Sequence, residues 1–158
     1  MAAAGTQDVA PAAEPAQRLV ARIVDTLLVA LPVVLVTRAT LPRVTAEIVA
    51  SAGLAILLVV YDSVQHARWG QTLGKRLTGI RVVSAPVEGA GEGGLPRPSQ
   101  ALVRAAVYAL PIAPRAVPIL GVLAGIFWVT NVGLLLERPR LQALHDRIAG
   151  TAVVSIRN

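Results

Sequence analysis

Two segments of fourteen residues organise this chain: QTLGKRLTGIRVVS, residues Gln71–Ser84, and QALHDRIAGTAVVS, residues Gln142–Ser155. They lie 71 positions apart and are identical at seven positions. Each follows a long apolar block, so we interpret the chain as two helical hairpins, each ending in one copy of the same polar segment. We call residues 71–84 the first arm and residues 142–155 the second arm.

The composition indicates an integral membrane protein. Hydrophobic residues make up 54% of the 158 residues and charged residues only 15%, whereas a soluble domain of this size is roughly a quarter charged. Leu, Val and Ala supply the excess and lie in long runs, which is typical of membrane-spanning segments. The length predicts one domain.

The basic character of the chain points to lipid and not to nucleic acid. A net charge of +6 would suggest nucleic acid in a soluble protein, but the arginines flank apolar blocks and aromatic residues for base stacking make up only 3%. We therefore expect the basic residues to meet anionic lipid headgroups on the cytosolic side of the membrane. There is no cysteine and only two isolated histidines, so we expect no metal, no cofactor and no enzymatic activity.

Apolar runs divide the chain into a tail and a membrane domain. Residues 1–17 are rich in Ala and Pro and predict a disordered tail, and residues 18–158 form the membrane domain. The clear spans are residues 19–37, 44–61 and 116–136.

Residues 101–114 are ambiguous. After Arg104 only ten uncharged residues follow, and these reach about 15 Å as an α-helix, too short to span comfortably. Four crossings would put twelve Lys and Arg residues on one side and three on the other, whereas three crossings would divide them almost evenly. The excess of positive charge belongs in the cytoplasm, so we expect this segment to cross, or to re-enter on its own side. Both termini are then cytoplasmic, in the plasma (inner) membrane.

The arms predict a small β element. Gly79–Ser84 and Gly150–Ile156 are dense in β-branched residues, which is typical of short strands. The predicted fold is therefore an all-α membrane protein. It is a four-helix bundle of three clear spans and one short segment, with a two-stranded cytosolic β-ribbon.

Three charged residues share one face of the first helix. At 100° per residue, Asp25 lies about 20° from Arg18 and about 60° from Arg22, so either arginine could pair with the carboxylate. An ionisable residue at membrane depth is a functional candidate by default. The alternative is a structural clamp in which both arginines reach the interface and Asp25 ties the helix to an arm.

Further charges surround the glycines of the two arms, with Arg104 in the ambiguous segment. One interpretation is a cytosolic site for an anion or a lipid headgroup, and the other is a ribbon tied to an arginine by Asp146. We expect Asp25 and Asp146 to face the same side of the bilayer and to share arginine partners. The charged arm residues are Lys75, Arg76, Arg81, Asp146 and Arg147.

Three segments resemble the RDD family of bacterial integral membrane proteins. They are RLVARIVD (Arg18–Asp25), GQTLGKRLTGIRVV (Gly70–Val83) and LHDRIAGTAVV (Leu144–Val154), with the Arg104 region between them. The resemblance implies that the arginine and the two aspartates that name the family fall on Arg18, Asp25 and Asp146, with Arg22 as a competitor for the arginine. It also implies about three spans, fewer than our four, and a transport role that has been suggested for some members.

Two functions are compatible with these patterns. The first is a component of transport or ion antiport, with Asp25 carrying the coupling ion; a pathway would then need a homo-oligomer or a membrane partner. The second is a non-catalytic scaffold or accessory protein that binds a partner or anionic lipid on its cytosolic face.

Overall fold

The computed structural model describes residues 10–85, 93–137 and 141–156. Residues 1–9 of the predicted tail and residues 86–92 of the loop after the first arm lie outside the described residues.

The order of elements repeats once along the chain. The first half contains two long helices, α1 (Pro15–Thr40) and α2 (Arg43–Trp69), followed by a short helix α3 (Leu73–Thr78) and a strand β1 (Ile80–Ser84). The second half contains α4 (Pro98–Ala109), a 3-10 helix (Leu110–Ala116), α5 (Pro118–Leu136), α6 (Leu144–Ala149) and β2 (Thr151–Ser155). Each arm is thus a short helix and a strand, so the sequence repeat is also a structural repeat.

The two strands form the predicted two-stranded sheet. They pair antiparallel, with Val82 opposite Val153 and Ile80 opposite Ser155. Val153 is the counterpart of Val82 in the repeat, so this register relates the two arms by a local two-fold axis. The repeat also extends to side chains, because Gln71 Nε2 donates to Ile80 O (2.9 Å) and Gln142 Nε2 donates to Thr151 O (3.1 Å).

The last residues of the predicted tail are ordered. The backbone N–H of Ala13 donates to Val153 O (2.9 Å), and Ser155 N–H donates to Pro11 O (2.8 Å). These bonds occupy the edge of β2 that β1 leaves open, as an exposed strand edge requires. Helix α1 then begins at Pro15, a residue suited to a first helical turn.

Three helices, α1, α2 and α5, are long and apolar enough to span a membrane. They cover the three clear spans predicted from the sequence, except that α5 begins at Pro118 and not at residue 116. The largest difference is at the end of α2, which continues to Trp69 and not to residue 61. The additional two turns lie beside the arms and bury Asp62 and His66.

The ambiguous segment lies along α2. Helix α4 presents small residues at a spacing of four, Ala101, Ala105 and Ala109, all at most 1% exposed, which allows close helix approach. The 3-10 helix continues in the same direction, and Ser51 donates a hydrogen bond to Ala113 O (3.1 Å). A 3-10 helix rises about 2.0 Å per residue against 1.5 Å in an α-helix, so the segment reaches further than its residue count suggested.

The molecule therefore has two distinct ends. The arms and the starts of α1 and α4 lie at one, which we call the arm end. The connection between α1 and α2 and the 3-10 helix lie at the other, which we call the connector end; there Thr37, Ala46 and Ile112 line a common cavity.

Candidate functional site

The buried charges of the described residues gather at the arm end, where α1, α2 and α4 meet the two arms. Most of these side chains are nearly inaccessible, and Arg18 and Arg22 are 10% and 16% exposed. We call the set the polar cluster; its members are Arg18, Arg22, Asp25, Asp62, His66, Lys75, Arg104, His145 and Asp146.

Asp25 is held by neutral donors and not by an arginine. Its carboxylate accepts hydrogen bonds from the hydroxyls of Tyr61 (2.8 Å) and Thr72 (2.5 Å) and from the backbone N–H of Gly74 (2.8 Å). The predicted pair with Arg18 or Arg22 is therefore wrong. The first turn of α3 occupies the carboxylate instead, and Asp25 ties α1 to the first arm.

This attachment depends on the absence of a side chain at Gly74. A Cβ atom there would lie 2.1 Å from Ala21 O and 3.0 Å from Asp25 Cγ. No side chain can occupy that space, so glycine lets α3 pack directly on the backbone of α1. The counterpart of Gly74 in the second arm is His145, whose ring Nδ1 lies 2.8 Å from Asn131 Oδ1 on α5.

The two arginines of α1 pair with two other carboxylates. Arg22 donates to Asp62 of α2 (2.7 Å), and Arg18 donates to Asp146 of the second arm (3.3 Å). Arg104 of α4 also forms an ion pair with Asp146. Asp146 thus joins α1, α4 and α6. Among the described residues it shares no arginine with Asp25, so the prediction that the two aspartates share arginine partners is wrong.

Several members of the site were missed from the sequence. Asp62 and His66 lie one turn apart on α2, a spacing that puts them on the same helix face, but both follow the predicted end of the span at residue 61. Tyr108 was also missed: Arg22 stacks over its ring, 3.6 Å from the centroid, and the ring meets Trp128 edge-on. The one available signal was the Asp62–His66 spacing directly after an apolar run.

Three predicted site residues lie outside the polar cluster. Arg76 is exposed and lies over the Trp69 ring at 5.2 Å. Arg81 is exposed on β1. Arg147 forms an ion pair with Glu137 and also donates to Gln142 O (3.1 Å).

Lys75 differs from the other cations of the cluster. It is 4% exposed, and its ammonium nitrogen has one long hydrogen bond, to the Thr72 hydroxyl at 3.4 Å. Among the described residues, no carboxylate oxygen lies within 4.0 Å of that nitrogen. Burial, reinforced by Arg22, lowers the pKa of Lys75 from 10.5 to about 7, because removal from water disfavours the charged form.

Beside the polar cluster lies a cleft of about 390 Å³ between α1, α4, α5 and the second arm. Its floor is predominantly basic: Arg18, Arg22, Lys75 and Arg104 line it together with one carboxylate, Asp146. Its mouth is apolar and includes Leu19, Val132 and Leu136, which are 51–61% exposed on the outer surface of the helices. The floor can therefore hold an anion while the mouth accommodates apolar groups.

No group of three or more His, Cys, Asp or Glu side chains within residues 10–85, 93–137 and 141–156 is arranged to hold a metal ion. His145, the histidine nearest the cleft, is involved in structural contacts. Burial, followed by repulsion from Arg104, holds its pKa well below 6.5.

These features define a class: a helical membrane-type protein, built from a repeated hairpin and arm, with a buried polar cluster at one end. The RDD family model matches residues 12–150, and the chain belongs to the RDD family. The match includes the first arm, the second arm as far as Gly150, and Arg18, Asp25 and Asp146. Comparison with curated proteins and with solved structures gives no match.

Proposed function

We propose that this protein is a non-catalytic membrane protein that binds an anionic lipid in the cleft. One observation carries the proposal: the same cavity joins a floor of four cationic side chains and one carboxylate, Asp146, to an apolar mouth on the outer surface of the helices. An anionic lipid has this combination of a charged head and apolar chains.

The charge balance of the polar cluster favours an anionic ligand. With Lys75 protonated, the cations Arg18, Arg22, Lys75 and Arg104 exceed the carboxylates Asp25, Asp62 and Asp146 by one. An excess charge in a desolvated site is costly unless it is paired. A head with a single negative charge, such as a phosphodiester, would balance the cluster.

The shape of the cleft favours a ligand that enters from the side. Its volume of about 390 Å³ lies in the lower part of the roughly 300–1,000 Å³ range of small-molecule sites, enough for a headgroup and the start of its chains. Leu19 of α1 and Val132 of α5 stand on opposite sides of the mouth, on helices able to span a membrane. A lipid could reach the floor from the bilayer without entering water.

The orientation of the protein is part of the proposal. Both arms, and most of the positive charge, lie at the arm end, which we assign to the cytosolic side of the plasma membrane. The segment of α4 and the 3-10 helix is assigned as the fourth crossing. Its support is the bond between Ser51 and Ala113 (3.1 Å), which puts the segment well toward the connector end of α2.

Ion transport through Asp25 stays a prediction that the geometry does not favour. The carboxylate is fully buried and already accepts three hydrogen bonds, so an ion could bind only by displacing the first arm. Cation flux in proteoliposomes that is lost in a folded Asp25→Asn variant would restore this function.

Lipid binding is tested in detergent by native mass spectrometry, with phosphatidylglycerol as the anionic lipid and phosphatidylcholine as the zwitterionic one. We expect at least tenfold tighter binding of phosphatidylglycerol. A Val132→Trp variant, which fills the mouth, should lose this preference. A Val129→Trp variant should keep it, because Val129 is 75% exposed on the same helix and does not line the cleft.

Two results would overturn the proposal. One is equal binding of the two lipids by the folded protein. The other is binding of soluble glycerol 3-phosphate as tightly as phosphatidylglycerol, since the apolar mouth would then contribute nothing and the site would be one for a free anion.

A further inference from the structure

We infer that Lys75 is the charge-specificity residue of the cleft and that, above neutral pH, it takes up a proton from solvent when an anionic head binds. This inference rests on the proposed function and adds its regulation: lipid binding would respond to cytosolic pH.

The geometry singles out Lys75 among the cations of the floor. Arg22 is neutralised by Asp62 at 2.7 Å, and Arg18 and Arg104 share Asp146. The ammonium of Lys75 has the Thr72 hydroxyl alone, at 3.4 Å, in the described structure. A buried ammonium needs a closer anionic partner to remain charged, and the cleft that Lys75 lines is open to receive one.

The repeat explains how this position arose. Lys75 and Asp146 occupy the same place in the two arms, and both line the cleft. Each directly follows the residue that contacts a long helix, Gly74 on α1 or His145 on α5. Asp146 is neutralised by two arginines that come from α1 and α4. The opposite charge at the symmetric position has no equivalent partner, so the two-fold arrangement leaves one half of the site to be completed by a ligand.

Every element packed against Lys75 contributes charged or titratable groups. Helix α1 contributes Arg22 and Asp25, and α2 contributes Asp62 and His66. From the second half of the chain, Arg104 on α4 and His145 on α6 act on it electrostatically. On α3 itself, Arg76 faces outward.

Of these groups, Lys75 is the candidate for titration near neutral pH, because burial holds the pKa of His145 well below 6.5. Arginine stays charged in this pH range. A pKa of about 7 for Lys75 means that the empty cleft loses its excess charge as the pH rises above 7. An anion beside the ammonium favours the charged form and raises this pKa in the complex.

The sign of the pH dependence follows from linkage. Below pH 7 the lysine is already protonated, so binding is strong and independent of pH. Above pH 7 each binding event must take up a proton, and the affinity falls by up to tenfold per pH unit until the pKa of the complex is reached.

The experiment measures the Kd for phosphatidylglycerol by native mass spectrometry and by thermal shift between pH 6 and 9. We expect wild-type protein to lose at least tenfold in affinity over this range. Lys75→Arg, which keeps a fixed charge, should bind at all pH values with a flat profile. Lys75→Met should bind at least tenfold more weakly than wild type at pH 6 and also show a flat profile.

Arg76→Met is the matched control, because it removes the neighbouring positive charge on the same helix but outside the cleft. It should keep the wild-type affinity and pH profile. A Lys75→Arg profile that still falls above pH 7 would overturn the inference, because a group other than Lys75 would then carry the titration.

The inference and the proposed function fail differently. Absence of a preference for phosphatidylglycerol at any pH contradicts the proposed function. A preference that is independent of pH in wild-type protein, or that Lys75→Met leaves intact at pH 6, leaves the lipid site in place and contradicts the role of Lys75.

Discussion

Three aspartates at the arm end are fully or almost fully buried, and each is stabilised differently. Asp25 accepts hydrogen bonds from neutral groups, Asp62 pairs with Arg22, and Asp146 pairs with both Arg18 and Arg104. Because a buried carboxylate without partners is strongly unfavourable, each acid constrains the elements that supply its donors. At the scale of residues, the carboxylates act as connections between helices and arms.

At this scale we predict that Asp25→Ala destabilises the protein by about 3 kcal/mol or more. The change leaves the half-buried Tyr61 hydroxyl, the buried Thr72 hydroxyl and the Gly74 N–H without an acceptor. Asp25→Asn should lose less, because an amide oxygen still accepts. Denaturation in detergent micelles, followed by circular dichroism, measures the difference.

Glu47→Ala is the control for this change. Glu47 is 51% exposed and pairs with Arg43 at 3.3 Å within one turn of α2, so its loss should cost about 0–1 kcal/mol. Equal losses for Asp25→Ala and Glu47→Ala would contradict the role of Asp25 as an attachment point for the first arm.

The arms are the elements that give the molecule its symmetry. In each arm a short helix ends at a glycine in the left-handed conformation, Gly79 (φ 68°) or Gly150 (φ 62°), which turns the chain into a strand. The strands then pair about Val82 and Val153. The glycine and the β-branched residues recur at the same positions, so each arm forms the same short helix and strand. The two strands can pair only when both hairpins end on the same side of the molecule.

At the scale of elements we predict that Gly74→Ala separates α3 from α1. The added methyl group would overlap the carbonyl of Ala21, at 2.1 Å, and overpacking of this kind costs about 1–3 kcal/mol. We expect a lower thermal midpoint in detergent and faster proteolysis within the first arm.

Gly125→Ala serves as the comparison within α5. A Cβ there would meet nothing within 4 Å, and alanine favours a helix over glycine by about 1 kcal/mol. This variant should be as stable as wild type or more stable. A Gly74→Ala protein with unchanged stability and proteolysis would refute the close packing of α3 on α1.

The whole molecule is a pair of hairpins of unequal form. The first is made of two long α-helices, whereas the second begins with a twelve-residue α-helix extended by a seven-residue 3-10 helix. The more extended 3-10 geometry compensates for the shorter segment. Both hairpins can then start and finish at the arm end, which brings the second arm beside the first.

At the scale of the whole molecule we predict the sidedness of three single cysteines in a chain that has none of its own. Thr40→Cys at the end of α1 and Val117→Cys after the 3-10 helix should react with an impermeant maleimide from the periplasmic side of intact cells. Ile156→Cys, next to β2, should react only after permeabilisation, because the arm end is assigned to the cytosol.

Labelling of the Val117→Cys variant decides the fourth crossing. Reaction of this cysteine from the same side as Ile156→Cys, with Thr40→Cys on the other side, would show that the segment re-enters and does not cross. Labelling of the denatured protein, carried out in parallel, controls for differences in the intrinsic reactivity of the three cysteines.

Local patterns were enough to predict the membrane helices, the duplicated arms and the pairing of their strands. Apolar run length, β-branched density and glycine position are properties of neighbouring residues, so a single chain displays them directly. The face shared by Arg18, Arg22 and Asp25 was also predictable, because helical periodicity determines it. The family resemblance carried by these segments is confirmed.

The partners of those charges were decided only by the tertiary structure. Whether Asp25 meets an arginine or the first turn of α3 depends on how closely α3 approaches α1, and that approach depends on a glycine 49 positions away in the sequence. The burial of Lys75 and the exposure of its neighbour Arg76 likewise follow from how α3 packs against the helices. Helical periodicity can place a charge on a face, but only the assembled helices determine what that face contacts.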